Sequence, residues 1–516
     1  MKKILILTLV SLMLSATLMA GDYVDTQITF TYGDDNLFET SRRSPIAGFG
    51  ERDDEMFNEN LNTYKTGDET ETMLVVYRKF QGYLPLLTVE TAFVMQLKIF
   101  ANETGRVGSK VWEDGSYIRV NYGTNSSKVV LTAFPYDSDR FLLGWTYDLS
   151  WGGKSFWPKS KINKSTPVPG LKLEWLKDKE MGVFLGFKTR NTNIELKEED
   201  KDGNLITNDT IATTWAIMGG GFIDINKQVR FDLHLGSFYK GTNQLQGSTK
   251  AAEDNVFAKP IMANGAAFRL SFRDNFDMAV SRVMKVYRND RRDDITIDKE
   301  VTTKQKENFG YIASFEGVYL TEPLRDADKV NSLKNFNAWA FDFKTKVYMG
   351  STKLNFDVIM RNVQFLLFNV PGLTAYESIT EHSEIKNELM ISLGGETEIA
   401  DHLTLGFLLG YKKPAAYKGE DTGYWLVIKD REDSSSFTGG LRKNKVKMPL
   451  DMDIKNIFSA KLSMIYALAD GVNFTSEIFF VKDPNDTTLD ETNVRVLRKT
   501  NEVNRLGFSF ILQTKF

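Results

Sequence analysis

Three histidines occur in the 516 residues of this chain, and His234 stands two residues after Asp232. Alternate residues of a strand share a face, so an Asp-x-His pair can orient an imidazole as a base. A hydrolytic site also needs a nucleophile or an activated water against that base. No such signature accompanies the pair, and an inward-facing histidine without a catalytic role is the favoured reading. His382 falls in a long loop and His402 in a tight turn. Asp200-Lys201-Asp202-Gly203-Asn204 has its Gly fourth, whereas a calcium-binding EF-hand needs it sixth. An acidic loop is expected there, and a solvated loop at Arg291-Arg292-Asp293-Asp294. The chain has no Cys, which excludes disulfides, thiol catalysis and Cys-ligated metals. Net charge is −3 with mixed signs, so there is no basic footprint for nucleic acid. The expectation is no enzyme, no cofactor and no metal.

The elements that carry these residues alternate with a period of two. From Val229, Phe231, Leu233 and Leu235 share one face, while Arg230, Asp232, His234 and Gly236 share the other. Phe268, Leu270 and Phe272 stand opposite Arg269, Ser271 and Arg273. Trp339, Phe341 and Phe343 stand opposite Asp342, Lys344 and Lys346. Leu354, Phe356, Val358 and Met360 stand opposite Lys353, Asn355, Asp357 and Arg361. Asn473, Thr475 and Glu477 share a polar face. Unpaired charge is costly in hydrocarbon, so the aromatic faces suit lipid and the charged faces suit water. The charged residues are then candidates for lining a pore: Arg230, Asp232, His234, Arg269, Arg273, Asp342, Lys344, Lys346, Lys353, Asp357 and Arg361. For most of them the blander expectation is cross-strand pairing.

The two ends of the chain add context. Lys2 and Lys3, the apolar run Ile4 to Leu18 and the Ala20-Gly21 step read as a signal peptide over 1–20. At the other end Phe508, Phe510, Leu512 and Phe516 fall on one face of a strand that stops on the aromatic residue. This resembles the C-terminal assembly signal of Gram-negative outer-membrane β-barrels, porin-like in general architecture. The resemblance implies export by the general secretory pathway and residence in the outer membrane. It implies contact with outer-membrane lipid, lipopolysaccharide and the assembly machinery, with small hydrophilic solutes, and with further copies in a homo-oligomer.

The expected fold is an all-β, transmembrane, antiparallel up-and-down barrel over 21–516. About 18 strands are expected, 16 to 20 at the limits, with short periplasmic turns and long extracellular loops. Strand candidates run from Thr26–Tyr32 to the C-terminus and include 141–149 and 276–286, with 73–80 as a weaker one. Asp178-Lys179, Asn226-Lys227, Asp274-Asn275, Gly350-Ser351, Asp401-His402 and Asp470-Gly471 suit tight hairpins. Long loops are expected at 34–71, 190–210, 240–264, 288–307, 363–384, 413–454 and 483–504. Strict up-down alternation fails between 141 and 171 and between 309 and 337, so each place hides a strand or an irregular element. Trp145, Trp175 and Trp215 suit either an interfacial girdle or an ordinary core. The aromatic stretch Trp145–Trp157 suits a loop packed on itself ahead of a sugar-stacking surface, and Phe365–Gly372 suits a second inward element. The barrel pattern begins at Thr26, with no plug or helical hatch before it. A passive channel with mild anion preference is the leading expectation, and a non-conducting anchor or surface-loop receptor is the alternative.

Overall fold

The computed structural model describes residues 22–23, 26–34, 37–38, 46–49, 72–101, 107–113, 115–124, 126–138, 141–146, 149–152, 168–178, 180–199, 205–242, 259–274, 309–326, 329, 332–369, 383–418, 423–427, 445–448, 452–485, 487–489, 495–497 and 504–515. Alternating apolar and polar residues make strands, in chain order β1 (Asp22–Tyr23), β2 (Gln27–Asp34), β3 (Ile46–Phe49), β4 (Thr72–Gln81), β5 (Leu87–Ala101), β6 (Val107–Glu113), β7 (Tyr117–Gly123) and β8 (Ser127–Phe134). Next come β9 (Gly170–Lys177), β10 (Met181–Glu199), β11 (Leu205–Asp224), β12 (Val229–Thr242), β13 (Pro260–Asp274), β14 (Phe309–Arg325), β15 (Leu333–Met349) and β16 (Thr352–Arg361). The single helix among the described residues, α1 (Val363–Asn369), follows. The remainder are β17 (Glu384–Lys386), β18 (Glu388–Ala400), β19 (Leu403–Lys413), β20 (Ala416–Lys418), β21 (Trp425–Val427), β22 (Lys445–Lys447), β23 (Ile457–Ala469), β24 (Val472–Lys482), β25 (Thr487–Leu489), β26 (Arg495–Leu497) and β27 (Asn504–Lys515).

Twenty-one of these strands belong to one antiparallel sheet, and the sheet closes. β27 pairs with β24 on one edge and with β2 on the other, from Gln27↔Lys515 to Asp34↔Phe508. β1 with β2, β3 with β4, and β6 with β7 each share one place in the wall. The result is a barrel of 18 antiparallel strands. β2 meets β3 along its upper half but β4 only at Gln27↔Met73. There the seam is completed by side chains: Thr26 Oγ1 donates to Val75 O and accepts from Val75 N, and Thr72 Oγ1 does the same for Thr29. Among the described residues the ring is thus nearly closed, and closure is what a membrane-spanning sheet requires.

The burial pattern is the reverse of a soluble protein's. Phe231, Leu233, Leu235, Phe268, Phe272, Phe341, Phe343, Phe356 and Met360 are exposed on the outside. Their neighbours Arg230, Asp232, His234, Arg269, Arg273, Asp342, Asn355, Asp357 and Arg361 are buried inside. A belt of exposed aromatics around a charged interior is stable only against hydrocarbon, so this is a transmembrane barrel of the outer-membrane type. Among the described residues no helix is long and apolar enough to cross a membrane, so the crossing is by strands.

Several expectations are corrected. Residues 141–149 are not a wall strand. β8 pairs directly with β9, and the chain between them turns into the interior, where Leu143 and Trp151 bridge. That inward turn accounts for the first failure of alternation. β14 pairs with β15 through a short connection, and β13 pairs with β14 from Asn264↔Thr321 to Asp274↔Tyr311. Residues 276–286 lie outside the described residues, as do Asn275 and 288–307. Asp274 and Phe309 both lie at the end with the short turns, so the connection between them leaves from that end, not from the long-loop end. The expected loop 190–210 is largely strand, because β10 and β11 stay paired from Met181↔Ile223 out to Glu199↔Leu205. Thr72–Gln81, the weaker candidate, is a full wall strand. The stretch 413–454 contributes β20, β21 and β22, which with β17 make a small separate sheet.

Candidate channel interior

Two elements fold into the barrel. The first is 141–152, whose Phe141, Leu143 and Leu149 are completely buried, as are most of Trp145 and Trp151. Glycines on the inner face of the wall make room for it. A Cβ on Gly186 would lie 2.1 Å from the Phe141 ring, and one on Gly236 would lie 2.7 Å from Leu143. The second element is α1, with Val363 and Phe365 fully buried. Asn362 caps this helix: its Oδ1 accepts from Phe365 N at 2.8 Å and from Trp339 N at 3.0 Å, while Nδ2 donates to Asn337 O at 3.2 Å. That network pins the helix to β15. Residues 370–372 of the expected inward stretch, and 147–148 and 153–157 of the aromatic one, lie outside the described residues.

Polar wall residues grip the first element. Trp145 N donates to Glu316 Oε1 at 2.9 Å and Thr146 N to Glu316 Oε2 at 2.8 Å. Gly144 N donates to His234 Nδ1 at 3.1 Å, and Thr146 Oγ1 donates to Asp342 Oδ2. Lys188 Nζ donates to the carbonyls of Phe141 and Gly152, the latter at 2.7 Å. The Trp145 ring stacks on His234 with centroids 4.0 Å apart, and the Arg269 guanidinium lies 4.8 Å from the indole centroid. Trp145 is thus an interior residue and not part of a girdle. Trp175 and Trp215 are on the outward face, Trp175 donating to Ser127 Oγ at 3.3 Å and Trp215 stacking on Tyr239 at 5.8 Å.

The charged residues singled out from sequence lie mostly in ion pairs along this inner face. Arg230 and Arg273 share Asp224, with Arg273 Nη2 2.8 Å from Oδ2. Arg269 Nε meets Asp232 Oδ2 at 3.1 Å. Lys344 Nζ lies 3.2 Å from Asp357 Oδ2, and Lys353 Nζ 3.3 Å from Glu396 Oε1. Arg361 Nε donates to Glu388 Oε1 at 2.6 Å, and Lys412 Nζ reaches the same carboxylate at 3.0 Å. Lys346 is half-buried on the same face. His234 and Asp232 do not form a dyad: Asp232 is committed to Arg269, and the histidine serves the inward segment. Among the described residues no cluster of metal-ligating side chains occurs.

Sequence reasoning missed Glu316, Lys188, Lys172 and Glu388. Glu316 is buried on β14 and Lys188 on β10, and Lys172 Nζ pairs with Glu174 at 2.6 Å. The signal available was the run of interior-phase glycines, Gly186 and Gly236, opposite wall positions that elsewhere carry large side chains. Phe508, Phe510 and Leu512 of the expected assembly signal lie on the outward face of β27; Phe516 lies outside the described residues.

No protein-family model matches the chain, and no curated protein does. Among solved structures it is similar to OpdL of Pseudomonas aeruginosa, at 9% identity over 96% of this chain and 98% of that one, with a TM-score of 0.42. The outer membrane protein OprD from the same organism gives 7% identity, 96% and 93% coverage and a TM-score of 0.40. OmpT, an outer membrane protein of Vibrio cholerae solved in a trimer form, gives 8%, 96%, 99% and 0.36. The barrel assignment itself rests on the strand pairing and the inside-out burial of this chain.

Proposed function

We propose that the protein is an outer-membrane channel through which small hydrophilic solutes diffuse passively. The observation that carries this reading is the nearly closed 18-stranded ring with a charged inner face. Barrels of about 16–18 strands enclose an aqueous lumen unless something fills it. Here 141–152 and α1 narrow that lumen without being wall strands, and charged side chains beside them would set solute preference. Residues 1–20 are then the export signal, and Phe508, Phe510, Leu512 and Phe516 the assembly signal.

The finer part of the proposal is a weak anion preference. The wall candidates contain more Lys and Arg than Asp and Glu, and fixed positive charge concentrates anions. The ion pairs described above neutralise much of that field, so the preference is small and salt-sensitive. Purified protein in planar bilayers tests both parts. Discrete conductance is expected, with a reversal potential across a low-salt gradient displaced slightly toward the anion limit. Displacement toward the cation limit would remove the anion preference. Absence of conductance at any voltage would favour the second reading, a closed barrel serving as an anchor or loop receptor, which the tight packing around 141–152 also suits.

A further inference from the structure

Arg78 carries its charge on the lipid-facing side of the wall. Along β4 the alternation is plain: Val75 and Tyr77 are buried inside, whereas Val76, Arg78 and Phe80 are exposed outside. Thr91 of β5 stands directly opposite Arg78, with Ile118 of β7 beyond it. Val76, Phe93 and Ile118 around them are exposed and apolar. Lys177, Lys413 and Lys482 also face outward, but each is the last residue of its strand. Arg78 lies three residues inside the end of β4. A cation is costly in hydrocarbon, and among the described residues no carboxylate meets this one.

The direction of the side chain shows where the charge is compensated. Its guanidinium carbon lies 4.8 Å from the centroid of Phe80, the next outward residue toward the turn between β4 and β5. That turn, 82–86, is at the short-turn end of the barrel, beside the turn after β7, where Gly123 N donates to Leu86 O at 3.1 Å. At ~3.3 Å per residue on a strand tilted by ~40°, the Arg78 backbone is about 10 Å inside the turn and Phe80 about 5 Å inside it. The turn itself presents apolar side chains, with Tyr83, Leu84 and Leu86 exposed. Hydrogen bonds fix it: Gly82 N donates to Leu87 O at 2.8 Å and Leu87 N to Leu84 O at 3.2 Å. A tyrosine and two leucines held at a barrel end suit the bilayer interface, where aromatic side chains sit at headgroup level. The guanidinium thus bends toward the headgroups of the periplasmic leaflet, over a ring that faces lipid.

We propose that Arg78 is a binding site for the phosphate of a phospholipid in the periplasmic leaflet. The planar guanidinium offers a fork of N–H donors that matches a phosphodiester bidentately. Phe80 supports one face of the guanidinium by a cation–π contact and leaves the N–H edge for the phosphate. The phosphate neutralises the charge that the wall leaves uncompensated and fixes this sector of the barrel at one depth in the membrane. The site stands on the lipid face, so it holds whether the lumen conducts or not.

Solid-state NMR reads the contact directly. The full chain, with isotope-labelled carbon at arginine Cζ, is reconstituted in vesicles of phosphatidylethanolamine and phosphatidylglycerol, and dephasing of that carbon by the lipid phosphorus is measured. Arg78→Gln is expected to remove one arginine's share of the dephased signal. Arg78→Lys, which keeps a positive charge, is expected to remove the same share, and it serves where Arg78→Gln does not yield a barrel whose gel mobility changes on heating. Unchanged dephasing in a folded variant overturns the proposal. A second measurement separates phosphate binding from relief of a stranded charge. The urea midpoint of Arg78→Leu is compared with that of the parent in the same vesicles and in micelles of a maltoside, which has no phosphate. A lower midpoint in vesicles, with no such loss in maltoside, is expected. An equal or higher midpoint in vesicles would leave Arg78 as a charge stranded in lipid. Equal losses in both media would assign it to a protein contact, such as an acidic group of a second copy. Either result overturns the proposal.

Discussion

Arg361 and Glu388 stand directly opposite each other on β16 and β18, with Nε 2.6 Å from Oε1 and both side chains completely enclosed. Lys412 on β19 adds a second cation to the same carboxylate, so one acidic residue neutralises two basic ones from its two flanking strands. Glu388→Gln leaves two cations without their partner beside the inward helix. Breaking a buried pair from one side costs about 3–5 kcal/mol. Urea unfolding of the refolded barrel in lipid vesicles should show a loss of that size, and Glu388→Gln with Arg361→Met together should recover part of it. A loss below about 1 kcal/mol, the range of exposed pairs, would mean that water reaches the pair.

Phe356 and Asn355 are adjacent on β16 and point to opposite sides of the wall. Phe356→Arg puts a charge toward lipid and should cost about 2–4 kcal/mol near the midplane. Phe356→Leu should cost far less, since it keeps an apolar side chain against hydrocarbon. The comparison, by unfolding in vesicles, checks the register of the whole β15–β18 region. Equal stability of the two variants would place Phe356 inside.

Gly186→Val tests the seat of the inward segment. The new Cβ would fall 2.1 Å from the Phe141 ring, so the ring must leave its place on the wall. Overpacking of this kind costs about 1–3 kcal/mol. The expected outcome is a folded barrel with altered single-channel conductance and increased protease cleavage within 141–152. A variant with parental conductance would show that the segment does not narrow the path.

A pH effect is expected at the small outer sheet. Lys386 is pulled two ways: partial burial lowers its pKa, but hydrogen bonds with Asp453 and Tyr424 outweigh it and hold the ammonium above its ordinary value. The hydrogen bond from Lys386 holds the Asp453 carboxyl below its own. A depressed carboxylate stabilises above its unfolded pKa, about 3.9, and loses this as pH falls through the folded value. A raised ammonium stabilises below about 10.4 and loses this as pH rises through its folded value. The pair thus helps the outer sheet across the neutral range and fails at both extremes, with a modest size because Asp453 is largely exposed. NMR titration of labelled lysine side chains should show the Lys386 pKa falling toward the ordinary value in Asp453→Asn. No change would show that Tyr424, whose ring lies 4.2 Å away, sets it alone.

The period-two pattern was legible because it is local. In Val229–Leu235 each residue's neighbour two places on shares its environment, so Phe231 and Arg230 announce opposite faces without any knowledge of partners. The short turns were legible for a related reason: Asp178 and His402 take left-handed backbone at φ 51° and 70°, in hairpins whose length is fixed by the chain itself. The same logic misread 141–149, whose alternating Phe141, Leu143 and Trp145 satisfy the strand pattern while burying against β10, β12 and β13 inside the ring.

What the sequence determined by itself is therefore the wall: the strand class, the approximate number of strands, and which side of each strand carries charge. These follow from alternation and from the cost of charge in lipid. Only the tertiary structure decided how the ring closes, with Gln27 against Lys515, and what lies within it. Glu316 and Trp145 are separated by well over a hundred residues, and nothing in the local pattern of β14 announces which of its two buried carboxylates, Glu316 and Glu322, will hold two peptide N–H groups from a distant segment. A side chain's face is set by its nearest neighbours along the chain, whereas its partner is set by which strands the closed sheet brings together.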